Sequence, residues 1–257
     1  SVTGSAIGTS IAQWAMALVY VVMVQRNARN HGVSLRPDWR GIRALTKVGS
    51  WLMLRTLSLR IAILATVVAV TAQGPVNLAA HQLAMTIFTF LAFALDALAI
   101  AAQALIGKEL GASRPAAVRE LTGTMVRWGL GFGTLAGILL AIAAPWAGLL
   151  FTSDAEVRAA LTLALWVLAA GQPLAGYVFV LDGVLIGAGD AKYLALAGVV
   201  NLAVYLPLLL AVRQSGADGG AGLLWLWAAF SLGYMAARAV TLGLRARTDR
   251  WMVLGSH

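Results

Sequence analysis

Two aspartates stand inside long apolar stretches of the sequence, where an ionised side chain is costly. Asp96 and Asp182 are the deep acids among ten, and the other eight lie in predicted loops or near the ends of apolar stretches. An ionised group at the centre of a bilayer costs about 2.5–3.5 kcal/mol, so it faces a protein interior or a wet cavity and is usually paired. These carboxylates therefore either couple ion movement to substrate movement or belong to a structural salt-bridge network.

The two aspartates belong to a repeated segment. The sequences FALDALAIAA at 93–102 and FVLDGVLIGA at 179–188 both fit the pattern F-x-L-D-x-x-x-I-x-A. The two predicted spans run in the same direction, which places both acids at similar depth. A parallel internal repeat is a recurrent feature of secondary transporters.

Candidate partners for the two acids are Arg55 and Arg60, which lie within another apolar stretch. The rise of a helix carries both arginines to a depth that overlaps the aspartates. Two acids and two bases would then balance inside the membrane. Such a network either locks three helices together or breaks during transport, and a role in proton coupling requires a breakable pair, because a neighbouring arginine favours the ionised carboxylate.

Four further polar side chains within apolar stretches are candidates for lining a polar cleft: Gln103, Gln172, Tyr177 and Asn201. The alternative for such residues is hydrogen bonding between helices, worth about 0.6 kcal/mol each. Gln172 precedes Pro173, and proline removes a backbone donor and kinks a helix. We therefore expect a bend close to Tyr177.

The elements that must position these residues are membrane-spanning helices. The chain has 257 residues, of which 60% are hydrophobic and only 11% charged, against about 25% charged in a soluble domain. This composition excludes a soluble enzyme and a disordered chain. Stretches of about 20 apolar residues predict helical spans, and an all-α polytopic membrane protein follows. The seven predicted spans are 5–25, 46–72, 78–107, 122–151, 160–188, 191–213 and 221–243.

The net charge of +9 is explained by membrane topology. Fifteen of the 19 lysines and arginines fall in the loops after spans one, three and five and in the tail after span seven, and this count assigns Arg238 to the tail. Two fall in the alternate loops. Cytoplasmic loops accumulate positive charge, which predicts an external N-terminus and a cytoplasmic C-terminus. No nucleic-acid partner is needed to account for the basic residues.

The sequence indicates no metal or cofactor chemistry. It has no cysteine and three histidines, His31, His81 and His257, without ligand spacing, a composition that argues against a zinc site. No constellation typical of an enzyme is present. Gly129, Gly131, Gly133 and Gly137 favour close helix packing, and the glycines of 187–190 predict a tight turn between spans five and six.

Several segments resemble the multidrug and toxic compound extrusion (MATE) family, in particular its DinF-like branch. They are AAHQ at 79–82, AAQALIGKELGA at 101–112 and LDGVLIGAGD at 181–190, together with the spacing of the spans. The family has two six-helix lobes. By this resemblance residues 1–25 are the last helix of the first lobe, 26–45 are a basic cytoplasmic linker, and 46–257 are the second lobe with its tail. We expect the residues that form the first lobe to be missing upstream.

The resemblance implies a secondary antiporter of the bacterial inner membrane. It would export cationic or amphipathic drugs, driven by a proton or sodium gradient and without a cofactor. Its partners would be the lipid bilayer, the small-molecule substrate and the N-terminal lobe. In other branches an acid on the helix that matches span five contributes to coupling, and Asp182 is the match by motif. Span two carries Arg55 and Arg60 where those branches have an acid. This difference argues against a sodium site.

Two alternative functions remain open at this point. A flippase of lipid-linked oligosaccharides, from the same superfamily, would suit a cavity that carries Arg55 and Arg60. A membrane scaffold without transport activity, or the remnant of a split gene, would suit a chain that starts without methionine. A substrate-binding assay separates the first alternative from drug export, and the upstream gene sequence separates the second.

Overall fold

The computed structural model describes residues 2–30 and 39–255. Within these ranges seven helical stretches are long and apolar enough to cross a membrane, one at each predicted span. The all-α polytopic architecture is thereby confirmed. Ser1, residues 31–38 with His31 and part of the predicted linker, and the terminal Ser256 and His257 lie outside the described residues. The ends of the predicted linker are helical, since one helix continues to Asn30 and the next begins at Trp39.

The helices follow one another with short connections. They are α1 (Val2–Asn30), α2 (Trp39–Thr71), α3 (Pro75–Gly111), α4 (Pro115–Ala147), α5 (Ala155–Gly187), α6 (Ala191–Gln214), α7 (Gly219–Ala228) and α8 (Met235–Ala246). A π-helical segment, Ala229–Tyr234, joins α7 to α8, so these three pieces form one interrupted span. Most helices exceed the roughly 20 residues that a bilayer requires, which implies tilt or extension beyond it.

Local sequence sets several helix ends. Pro75 and Pro115 occupy the first turns of α3 and α4, where the missing amide hydrogen costs nothing and the fixed φ suits a helix. The side chain of Asp154 accepts hydrogen bonds from two amides in the first turn of α5, a standard N-cap. Helix α5 ends at Gly187, and in the turn that follows Gly189 has a φ of +74°, which allows the chain to reverse. This confirms the predicted turn between spans five and six.

The chain divides into two compact units, residues 1–46 and 47–257. The first unit contains α1 and the start of α2. The second unit contains the rest of α2 and all later helices, and α5 lies at its centre, in contact with α3, α4, α6, α7 and α8. Helix α5 accordingly carries the largest share of buried residues of any span in the described ranges.

Glycines bring α3 and α5 together in parallel. A Cβ added at Gly183 would collide with the carbonyl of Ala99, and one at Gly187 with the carbonyl of Gln103. Both pairs are 84 positions apart, so the two helices run in the same direction. On that offset Asp182 lies opposite residue 98, two positions from Asp96, which is about 3 Å along the axis. The two repeated aspartates therefore lie at nearly the same level.

Glycines also seat α4 against α5. A Cβ added at Gly129 would lie 2.6 Å from the carbonyl oxygen of Gly176. One added at Gly137 would lie 2.6 Å from the carbonyl oxygen of Ala169. Gly133 makes the same kind of approach to Gln172 and Pro173, as predicted. The prediction is wrong for Gly131, which has open space around it, because a helix turns that position away from the face shared by its neighbours.

An aromatic core fills the space between α3, α6 and α7. The rings of Trp227 and Phe230 lie 5.8 Å apart in edge-to-face geometry, and Phe230 stacks on Tyr234 at 5.9 Å. The buried hydroxyl of Tyr205 bonds Thr66 of α2 at 2.6 Å. Large rings dominate the burial of apolar surface, and the hydroxyl pair adds a polar link from α2 to α6.

Candidate functional site

Asp182 is the centre of an intramembrane charge cluster. Its Oδ2 accepts a hydrogen bond of 2.5 Å from Nη2 of Arg55 and a second from Nη2 of Arg238. The side chains of Asp182 and Arg238 are each 10% exposed, whereas that of Arg55 is 23% exposed. Helices α2, α5 and α8 are thus tied together through a single carboxylate oxygen.

Two features place Arg238 at this carboxylate. The π-helical segment Ala229–Tyr234 precedes α8, and its extra residue per turn sets the direction in which the next side chains point. The Cζ of Arg238 lies 6.0 Å from the ring centre of Tyr234, at the edge of cation–π range. A long contact of 3.9 Å joins its Nη1 to the sulfur of Met235.

Asp96 and Arg60 lie at the same site without ion pairs to any described residue. Asp96 is exposed and within electrostatic range of Arg55, Asp182 and Arg238. Arg60 is also exposed. The predicted pairing of the acids with two arginines of α2 is therefore confirmed for Arg55 and wrong for Arg60, which lies more than a helical turn further along α2.

A cavity of about 430 Å³ brings these charges together. Its ionisable lining residues are Arg55, Arg60, Asp96, Asp182 and Arg238. Three arginines and two aspartates give the lining a formal charge of +1. Gln103 lines the same cavity, so five of the predicted site and partner residues meet there.

The remaining three predicted residues lie elsewhere. Gln172 is buried on α5, with its Oε1 unbonded by any described group. The hydroxyl of Tyr177 lies against Gly243 of α8. Asn201 lines a separate cavity of about 20 Å³ beside Arg55, Asp182 and Arg238. Tyr177 and Asn201 thus contact α8, whereas the amide nitrogen of Gln172 donates to the backbone oxygen of Leu168 in its own helix.

The small cavity has the volume of about one water molecule. From its edge at Asn201, a hydrogen-bonded row leads away from the charge cluster. Thr241 donates to Oδ1 of Asn201 at 3.2 Å, and Tyr193 donates to the backbone oxygen of Thr241 at 2.6 Å. This row holds α6 against α8.

Arg238 is the cluster member that sequence reasoning missed. It was expected among the charges of the tail, but it lies within the span Gly219–Ala246 and is buried. Fourteen positive charges then remain in the loops predicted to be cytoplasmic. The available signal was its position inside the predicted span 221–243, which makes an arginine there as informative as Arg55.

Ion pairs also secure the end of the second unit at which α4 begins and α8 finishes. Arg245 donates to Asp190 at 2.6 Å and lies 4.9 Å from the ring of Tyr193. Arg119 donates to Asp249 at 2.6 Å. This hydrogen bond lowers the pKa of the exposed Asp249 carboxyl, because it favours the ionised form.

A comparison with known proteins identifies the family. Residues 52–210 match the family model MatE, and this stretch covers more than half of the chain. The chain belongs to the MATE family. The resemblance that the sequence motifs suggested is thereby confirmed, and the protein is a multi-pass membrane protein of a transporter family.

The MATE relatives include plant and bacterial proteins. Protein DETOXIFICATION 44, chloroplastic, of Arabidopsis thaliana is 31% identical over 99% of this chain and 48% of its own length. DNA damage-inducible protein F of Escherichia coli K12 is 35% identical over 44% of this chain and 25% of its own. The chain thus spans about half the length of the plant relative that it matches.

Solved structures share the MATE fold of this chain. A MOP superfamily transporter from Pyrococcus furiosus superposes with a TM-score of 0.72 and 20% sequence identity. The match covers 83% of this chain and 46% of that one. At this identity the likeness concerns the fold, and the cavity of this MATE chain has to be interpreted from its own side chains.

Proposed function

We propose that this chain forms one lobe of a secondary antiporter that exports cationic or amphipathic small molecules, driven by a proton or sodium gradient. The observation that carries the proposal is the cavity of about 430 Å³ inside the membrane-spanning helices, lined by five ionisable side chains. Ionisable groups at that depth are costly and mark substrate or ion pathways. The family membership supports the same conclusion.

The complete transporter has a second lobe in this proposal. Transport by alternating access requires two halves that move around a shared site, and the chain spans about half the length of its plant relative. The partner is then the N-terminal lobe of the same protein. We place the transporter in the bacterial inner membrane, with the N-terminus of this chain outside and the C-terminus in the cytoplasm, as the distribution of positive charge indicates.

Asp96 is the acid that we assign to coupling. Asp182 is already held by two arginines, and a cation that competes for it must displace both. Asp96 lines the same cavity, is exposed, and has no ion pair with any described residue. A proton or a cation therefore reaches Asp96 without breaking a link between helices, and Asp182 serves as the structural member of the pair.

The substrate class inferred from the family has to be weighed against the charge of the cavity. A lining with three arginines and two aspartates does not favour a purely cationic drug. Lipid-linked oligosaccharide transport remains the second candidate, because the unpaired Arg60 in the cavity suits a pyrophosphate. No described feature of the lobe supports a role restricted to scaffolding.

The test uses the full-length protein reconstituted in proteoliposomes with an imposed pH or sodium gradient. We expect Asp96→Asn to lower gradient-driven efflux of an amphipathic dye by more than tenfold, and Asp96→Glu to restore part of it. Arg213→Gln is the control, because Arg213 is an exposed residue near the end of α6. Undiminished efflux by Asp96→Asn would overturn the coupling role, and gradient-driven efflux by these 257 residues alone would overturn the need for a second lobe.

A further inference from the structure

We propose that Arg55, Arg60 and Arg238, here named the arginine cluster, bind the anionic group of an amphipathic solute, a phosphate or a carboxylate. The proposal rests on the proposed function only in taking the cavity as the substrate site. It replaces the cationic substrate that the family resemblance implies with an anionic one. Three observations carry it: spare hydrogen-bond donors, the charge balance and the shape of the walls.

The arginine cluster has more donors than its protein partners use. Each guanidinium carries five N–H donors in a planar fork. Arg55 and Arg238 each give one bond to Oδ2 of Asp182, and Arg238 adds a long contact to a sulfur. Arg60 bonds no described residue and lines the same cavity. An oxyanion with several lone pairs matches these remaining donors, because arginine binds phosphate and carboxylate through parallel N–H bonds.

The charge balance points to the same ligand. Three guanidinium groups face two carboxylates around the cavity, and one of the carboxylates already satisfies two of the guanidinium groups. The net charge of +1 lies among membrane helices, where an unneutralised charge is costly. A bound anion removes that excess, whereas a bound cation increases it. The cavity therefore disfavours a cationic ligand, which Asp182 alone would attract.

The walls of the cavity suit an aromatic or aliphatic body attached to the anion. Phe88, Phe93, Phe179 and Met85 line it together with the charged residues. Aromatic rings offer large apolar contact with defined geometry. At about 430 Å³, the cavity is in the size range of small-molecule sites. A fused-ring compound with one phosphate combines both features in a small probe.

The experiment measures binding by the full 257-residue chain in maltoside micelles with isothermal titration calorimetry. The probes share one ring system and differ in charge: naphthyl phosphate, neutral naphthol and cationic naphthyltrimethylammonium. We expect naphthyl phosphate to bind at least tenfold more tightly than either of the others. A hydrogen bond to a charged group is worth about tenfold or more in affinity.

Two variants with opposite expected effects test the assignment. Arg60→Gln should weaken naphthyl phosphate about tenfold and leave naphthol unchanged, and it should fold normally because Arg60 forms no ion pair with a described residue. Asp96→Asn raises the formal charge of the lining and should tighten naphthyl phosphate severalfold. The matched control is Arg213→Gln, which removes an exposed arginine outside the cavity and should change neither value.

A lipid arm distinguishes the two sources of such an anion. Displacement of naphthyl phosphate by phosphatidylglycerol in nanodiscs, but not by phosphatidylcholine, would assign the site to an anionic lipid headgroup. Displacement by neither lipid would assign it to a soluble anion. Equal affinities for the three probes, or no effect of Arg60→Gln, would overturn the proposal. Because the binding experiment involves no gradient, a negative result in it would not decide the outcome of the efflux assay.

Discussion

Replacing Asp182 with asparagine is the sharpest test of the charge cluster. The carboxylate accepts hydrogen bonds from Arg55 and Arg238 through one oxygen. The substitution keeps the size of the side chain and removes its charge. The two arginines then have no carboxylate of a described residue in direct contact, and the energetic cost falls on the arginine that is less able to reach water.

The magnitude follows from the burial of the partners. Breaking a buried ion pair costs about 3–5 kcal/mol, since it leaves an uncompensated charge. The side chain of Arg55 is 23% exposed and opens onto the cavity, so it can turn away, whereas that of Arg238 is 10% exposed. We therefore expect Asp182→Asn to lower the free energy of unfolding by about 3 kcal/mol, mostly through Arg238.

The double variant isolates the interaction. Removing both charges, with Asp182→Asn and Arg238→Gln, leaves no stranded partner on α8. We expect the double variant to be about 2 kcal/mol more stable than the sum of the single costs predicts, within the range of coupling energies for contacting residues. The assay is SDS-induced loss of helicity in maltoside micelles, followed by circular dichroism.

The comparison with Asp96 completes the test. Asp96 has no ion pair with a described residue, so Asp96→Asn should change stability by less than about 0.5 kcal/mol. If the costs of Asp182→Asn and Arg238→Gln add within about 0.5 kcal/mol, the ion pair does not stabilise the lobe. Equal costs of Asp182→Asn and Asp96→Asn would refute the division into a structural and a coupling acid.

Two further predictions concern packing and pH. Gly183→Ala should lower the free energy of unfolding by about 1–3 kcal/mol, because the new Cβ meets the carbonyl of Ala99. Gly131→Ala should leave the free energy of unfolding unchanged or slightly raise it, since nothing lies within 4 Å of the added Cβ. Thermal unfolding of both variants measures the difference. The bond from Arg119 lowers the pKa of Asp249, so its stabilising effect exists above about pH 4 and disappears as the pH falls through the lowered pKa. The melting temperature of Asp249→Asn should therefore lie below that of the unchanged chain at pH 7 and equal it in acid, and a constant difference across this range would contradict the sign.

The membrane architecture was predictable from sequence because bilayer constraints act on local composition. A span requires about 20 consecutive apolar residues, and each of the seven predicted spans corresponds to a helical stretch within the described residues. The repeated aspartates were found the same way, since a charged residue in an apolar run is visible without any tertiary contact. The common direction of the two spans predicted a similar depth for them, and the contacts of Gly183 and Gly187 with α3 fix their level.

The pairing of charges was not predictable to the same extent. Sequence reasoning placed Arg55 and Arg60 on the right helix, but the depth expected for both overlapped that of the acids. Only the position of α2 in the bundle shows that Arg55, and not Arg60 further along the helix, reaches Asp182. Asn201 illustrates the same limit, because a polar side chain within a span bonds a neighbouring helix, as Asn201 does through Thr241, as readily as it lines a cavity.

The sequence by itself thus determined the seven helices, the depth of Asp96 and Asp182 and the family of the protein. The tertiary structure decided that Arg238, 56 residues from Asp182 along the chain, completes the cluster, and that Arg60 and Asp96 stay unpaired beside it among the described residues. The physical reason is that helix formation depends on neighbours in sequence, whereas an ion pair depends on which faces of distant helices meet. The charge of the cavity, and with it the proposed preference for an anion, follows from that meeting.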